Sequence, residues 1–194
     1  MLSEIMGTGM KASSKEMILT TNGIEGACSA ALILMHHPDA VIRITSPRHL
    51  PKALKDLVSS EFKGIVYICG MGNAKPFEPV LIEMKNLTRH AQVRWFCGSD
   101  SSEVNKNLKK IPDNCNVSIY NDMYDTEAVF RGLGAEYSEH VLRILELADP
   151  KNLKQLSDVQ QVIHDLILAS NRRFYFYGDD SINESTIRFL SGMG

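Results

Sequence analysis

Short apolar runs alternate along the chain with longer stretches in which apolar residues recur every three or four positions. Met17 to Thr20 (MILT), Ala40 to Thr45 (AVIRIT), Gly64 to Cys69 (GIVYIC), Gln92 to Phe96 (QVRWF) and Cys115 to Tyr120 (CNVSIY) read as strands. GIVYIC is nearly continuous in apolar residues, as expected of a strand covered on both faces. Helical stretches separate them. One runs to Met35; a second opens at Pro47 and runs to about Ser60, with Leu50, Leu54, Leu57 and Val58 on one face. A third opens at Pro76 and carries Phe77, Val80, Leu81 and Met84. Strands alternating with helices in this way predict an α/β fold, a five-stranded doubly wound parallel sheet.

From about Met123 onward the pattern is helical. Tyr137 to Ala148 and Leu153 to Ala169 carry apolar stripes, the latter with Leu156, Val159, Val162, Ile163, Leu166 and Ile167. Arg173 to Tyr177 (RFYFY) reads as a short late strand, and Asp179-Asp180 as a turn and helix cap. Ser181 to Leu190 opens with Ser181 and Glu184 at capping-box spacing. The expected organisation is a loose tail over 1–15, an α/β domain over 16–150 and a helical extension over 151–194. An end at Gly194 directly after a helix fits a domain cut from a longer protein.

The stretch from Glu16 to Met35 (EMILTTNGIEGACSAALILM) organises the rest: a strand, a polar turn, then a helix rich in small and aliphatic residues. Asn22 is a good N-cap residue, with Glu25 three positions on to complete a capping box. Gly23 and Gly26 leave room for a ligand to approach backbone at the positive end of that helix. The turn is built like an anion site; the plainer reading is a capped helix start. Asp100 and Glu103 form a second capping-box pattern after the fourth strand.

Composition adds bounds rather than a function. Of 194 residues, 44% are hydrophobic and 23% charged, with a net charge of −2, which argues against disorder and against a strongly basic nucleic-acid binder. The apolar run from Ala27 to Met35 is too short to span a bilayer, and residues 1 to 15 lack the apolar segment of a secretory signal, so a cytoplasmic protein without membrane attachment is expected. The four cysteines, Cys28, Cys69, Cys97 and Cys115, form no CxxC pair and read as reduced, buried thiols. Cys69 and Cys97 end strands expected to be neighbours, which leaves a redox pair or soft-metal site as a second reading. His36-His37 lies at a helix end, where positive charge is favourable. GMGNAK after the third strand is a partial GxGxxG with Lys75 in place of the last glycine, and reads as a strand-to-helix turn.

Three strand ends taken together, TTNGIEGACSA, ICGMGN and WFCGSDSS, resemble the DHH phosphoesterase family of RecJ-like exonucleases, oligonucleotide and cyclic-dinucleotide phosphodiesterases, and exopolyphosphatases. The family's first motif looks like T-H-x-D-x-D-G-x-x-S. Here Thr20 matches, Thr21 stands for the histidine, Gly23 and Glu25 for the two aspartates, and Gly26 and Ser29 match. Gly70-Met71-Gly72 stands where the family has D-x-G, and Cys97-Gly98-Ser99 where it has D-H-H; Asp149 in LELADP is placed to match a fourth aspartate.

The resemblance implies a DHH-like domain over roughly 16 to 150 that has lost its metal ligands. Two-metal hydrolysis needs carboxylates and imidazoles to hold Mn²⁺ or Mg²⁺, and of those positions only Glu25 and Asp149 keep one. The leading expectation is a non-catalytic regulatory or ligand-sensing module without a cofactor, accepting a nucleotide or phosphate at the strand C-termini. Its candidate binding residues are Thr21, Asn22, Gly23, Gly26, Gly70, Gly72, Asn73, Gly98, Ser99 and Ser101, with Lys75 as a supporting cation. The alternatives are a divergent metal-dependent phosphoesterase using Glu25, Asp100, Asp122 and Asp149, and a structural module that forms a homodimer through its C-terminal helices.

Overall fold

The computed structural model describes residues 15–177 and 181–192. Five strands form one parallel sheet: β1 (Lys15–Thr20), β2 (Val41–Ile44), β3 (Gly64–Cys69), β4 (Gln92–Cys97) and β5 (Cys115–Ile119). Their spatial order is β2-β1-β3-β4-β5, every pair parallel, with Met17 opposite both Val41 and Val66, Val66 opposite Val93, and Val93 opposite Cys115. The order reverses between β1 and β3, so the carboxyl ends of these two strands flank the place where α/β sheets open a crevice. The five strands expected between Met17 and Tyr120 all form, each within two residues of its predicted ends.

Alternation along the strands feeds two cores. Ile18, Ile42, Ile44, Tyr67, Cys69 and Phe96 face one side of the sheet, while Leu19, Val66, Ile68, Val93, Trp95 and Cys97 face the other. The second face is covered by α2 (Leu50–Ser59) and α3 (Phe77–Leu87). Their buried residues recur at helical spacing: Leu50, Ala53, Leu54 and Leu57, then Phe77, Val80, Leu81, Met84 and Leu87. Pro47 does not open α2 itself; it begins a 3-10 turn, Pro47–His49, that leads into Leu50.

The first face is covered by α1 (Ile24–His36), which is buried at every residue from Gly26 to Leu34. Such a helix has no solvent face and must be enclosed on all sides. Helices α5 (Asp125–Leu133) and α6 (Glu139–Ala148) enclose it, together with α7 (Asp158–Tyr177) and α8 (Ser181–Leu190). The short α4 (Ser102–Asn107) adds Val104 to the opposite core. Ile167 of α7 and Ile187 and Leu190 of α8 belong to the same hydrophobic cluster as Ile18 and Leu32, so the helices beyond residue 151 share the core of the sheet.

Three local expectations are corrected. RFYFY is the end of α7, because nothing between Ala169 and Arg173 breaks the helix and aromatic strand preference is a weak prior against its continuation. Cys69 and Cys97 end neighbouring strands but lie in opposite cores, since Cys69 pairs in register with Phe96 and the next residue points the other way. They form neither a redox pair nor a metal site; burial pushes the Cys69 thiol up to about 12. Asp100 does not cap α4: Ser101 holds the N-cap position without a side-chain bond. His37, which caps the end of α1, has partners beyond the helix dipole, with Nδ1 2.9 Å from Glu16 Oε1 and Nε2 2.9 Å from the Tyr67 hydroxyl. Residues 1–14 and Asp179-Asp180, and with them the expected tail and turn, lie outside the described residues. No helix among the described residues is long and apolar enough to cross a membrane.

Close packing of α5 on β4 gives the first prediction. A Cβ at Gly132 would lie 2.5 Å from two ring carbons of Phe96, itself 1% exposed and unable to move aside. Gly132→Ala is expected to lower stability by about 1–3 kcal/mol, read as a drop in melting temperature of about 3–10 °C.

Candidate functional site at the carboxyl edge of the sheet

The turn after β1 is tied down first. Thr20 Oγ1 donates to Gly26 O at 2.7 Å in a buried bond, and Thr45 N donates to Thr20 O at 2.8 Å. Helix α1 starts with Gly23 in extended conformation at the N-cap and no side-chain cap. The expected capping box is therefore absent. Asn22 is buried instead, and its Nδ2 has no hydrogen-bond partner.

Glu25 has a different task. Its Oε2 accepts from the Asp125 backbone N–H at 2.9 Å, a contact spanning 100 residues of sequence. Asp125 in turn accepts from the Gly98 N–H at 2.8 Å through Oδ1, and Thr126 Oγ1 donates to Glu25 O at 3.0 Å. Three chain segments are thus clasped at one edge: the first turn of α1, the end of β4 and the first turn of α5. Burial pushes the Asp125 carboxyl up to about 6; the Gly98 amide opposes that shift, and the charges of Glu25 and Asp100 add to it.

The glycines of the edge owe most of their presence to this packing. A Cβ on Gly26 would lie 2.3 Å from Thr21 O, one on Gly98 within 2.7 Å of the Met123–Asp125 backbone, and one on Gly72 2.5 Å from Asp100 O. The room expected at Gly26 is filled by the protein's own backbone, and backbone packs equally closely at Gly72 and Gly98, two further expected binding positions. Gly70 adopts φ +71°, which favours glycine, and its face looks onto Thr21 Oγ1 and Asp125 Oδ2. At Gly23 a Cβ would meet nothing within 4 Å.

The predicted binding residues fall into two groups. Thr21, Gly23, Gly70 and Gly98 gather around Glu25 and Asp125. Gly72, Asn73 and Ser101 belong to a separate polar cluster: the Asn73 amide bonds the Asp100 carboxylate, Val104 N donates to Gly72 O, and the Ser101 hydroxyl donates to Asn121 Oδ1 at 3.2 Å. Ser99 is exposed and its N–H donates to Met123 O. Lys75 pairs with Glu103 at 3.4 Å instead of reaching the first group. Asp149 caps the 3-10 turn Pro150–Asn152, accepting from Lys151 N at 2.8 Å, and Asp122 is exposed.

Beside the first group lies a crevice of about 350 Å³. Thr21, Gly23, Glu25 and Asp125 line it together with Ala148, Pro150 and Leu153 and with His164 of α7. Asp125 and His164 escaped the sequence reading. Asp125 is an acid opening a helix after a strand, and that spacing was the one signal of it; His164 lies on a helix with no local motif. Mn²⁺ or Mg²⁺, implied by the family resemblance, does not fit these side chains. Among the described residues no three His, Cys, Asp or Glu groups lie close enough to hold one ion, and the two crevice carboxylates each give an oxygen to a backbone amide.

No family model matches the chain, and no curated protein matches it. Its fold is similar to that of an uncharacterized protein from Helicobacter pylori G27, with a TM-score of 0.66 and 10% sequence identity. The match covers 91% of this chain and 55% of that one, so the chain spans about half the length of its structural neighbour. The likeness supports the α/β architecture with its helical C-terminal part.

The raised Asp125 carboxyl gives the second prediction. Its pKa is higher in the fold than the ordinary value of 3.8, so its favourable contribution is full below about 4 and is lost as pH rises through about 6. Asp125→Asn keeps an acceptor for the Gly98 amide without the charge. The unfolding free energy of the variant relative to the wild type is expected to rise between pH 4 and 7 by up to about 3 kcal/mol, measured by urea titration.

Proposed function

We propose that the chain is a DHH-like ligand-sensing domain that binds a small molecule in the crevice beside β1 and does not hydrolyse it. The observation that carries this reading is the use of the two crevice carboxylates. Glu25 and Asp125 each accept from a backbone amide, so they hold the strand-end loops together where a phosphodiesterase would direct its acids at metal ions. A volume of about 350 Å³ lies at the lower end of small-molecule sites and suits a mononucleotide. The amides of the first turn of α1, beside the open face of Gly23, are fit to receive a phosphate. The second oxygens of Glu25 and Asp125, not used in the bonds from backbone amides, are of the type that accepts from ribose hydroxyls or a base amino group. A nucleotide presents both kinds of group.

Helix α7 gives the domain a route to a regulatory output. It places His164 in the crevice and carries exposed apolar residues on its outer side. Four free, buried cysteines accord with a reducing compartment, which supports a cytoplasmic location. One observation favours a hydrolase instead: a carboxyl raised to about 6 and an imidazole line the same crevice, and those are the group types of general acid–base catalysis.

The test is a thermal-shift titration with AMP, inorganic phosphate and a cyclic dinucleotide, run beside a hydrolysis assay with Mn²⁺. AMP is expected to raise the melting temperature by about 5–10 °C at a hundredfold excess over Kd, and Glu25→Gln to weaken that shift. No turnover is expected. A flat melting temperature with all three ligands contradicts the sensing reading; Mn²⁺-dependent turnover lost in Glu25→Gln establishes the hydrolase.

A further inference from the structure

The side of α7 and α8 turned away from the sheet carries an apolar surface that the crevice reading does not use. Ile163 and Ile167 of α7 pack toward the core around α1. Val159, Val162 and Leu166, spaced i, i+3 and i+7, lie along the adjoining stripe and are 67%, 59% and 48% exposed. Phe189 of α8 stands beside them, 60% exposed. It lines two hollows at once, of about 480 and 490 Å³: one between α7 and α8, the other bounded also by α6 through Ile144 and Leu147.

We infer that this face is a two-fold interface between two copies of the chain. An isologous interface needs a projection and a matching recess on the same patch, so that each copy fills the other. Phe189 and its flanking hollows provide both. At their fractional exposures the four side chains present about 400 Å² of apolar area, within the range of the largest and often functional patch on a monomer. A standard interface removes about 800 Å² from each partner, a little over half of it apolar, or about 450 Å². The patch supplies nearly that amount. The rim carries both signs of charge, with Arg143 paired to Glu139 at 2.5 Å and Glu146 accepting from Gln160, so it is polar without a single-sign field that would repel a second copy.

Sedimentation equilibrium of the full chain from 1 to 200 µM tests the inference. The wild type is expected to sediment at twice its 21.7 kDa chain mass at the upper concentrations. Phe189→Glu and Val162→Glu, each placing a charge in the interface, are expected to weaken association at least a hundredfold. Far-UV circular dichroism and melting temperature, measured at a concentration where the wild type is monomeric, are expected to be unchanged, because both side chains are exposed in the monomer. Ile82→Glu, on the exposed side of α3, is expected to leave association intact. A wild type that is monomeric at 200 µM overturns the inference and assigns the face to another partner. Association that survives both α7 and α8 substitutions, or is lost equally in Ile82→Glu, overturns it as well.

Discussion

Helix α1 has no solvent face, and that constraint shapes the rest of the molecule. Nine consecutive residues, Gly26 to Leu34, are buried, so sheet, α5, α6, α7 and α8 must all be in place around it. Small residues make this possible: Gly26, Ala27, Ser29, Ala30 and Ala31 let neighbouring backbone approach, while Leu32, Ile33 and Leu34 fill the core. The same enclosure fixes the first turn of α1 against the first turn of α5. Glu25 therefore meets the Asp125 amide, and Asp125 meets Gly98.

The consequence for function follows from what those contacts occupy. Acids at the carboxyl edge of a parallel sheet stand where such folds bind ligands and metals. Here two of them are drawn into holding loops together, at the cost of a buried carboxyl with a pKa near 6. The crevice that remains is lined by Glu25, Asp125 and His164, and the proposed nucleotide site rests on these groups and on the first turn of α1. The helix that closes the crevice, α7, is also the helix with an apolar outer stripe, so the proposed ligand site and the inferred interface between copies share one element.

Strand periodicity made the sheet legible. GIVYIC forms β3 with its predicted ends, and QVRWF and CNVSIY differ from β4 and β5 by a single residue at one end. Local signals failed where tertiary contacts outweighed them. Asn22 looks like a cap but is buried, because Gly23 takes the N-cap position and Glu25 is claimed by α5. Gly26 reads as room for a ligand and Gly72 and Gly98 as binding positions, but each lies against the protein's own backbone, which no local spacing reveals. RFYFY has strand composition yet continues a helix already under way. Asp125 was overlooked because its importance comes from partners 27 and 100 residues distant.

Asp125 serves as a buried structural acceptor at the carboxyl edge of the sheet, and the reading of the site as non-catalytic depends on that role. Carbon-detected NMR of its carboxyl through a pH titration, followed together with the Gly98 amide proton, measures this directly. The expected result is a carboxyl midpoint near 6 and a Gly98 amide shift that titrates with the same midpoint, both unchanged in position by added Mn²⁺. A carboxyl midpoint at the ordinary value near 4 with a silent Gly98 amide, or broadening of the Asp125 carboxyl by micromolar Mn²⁺, would contradict it.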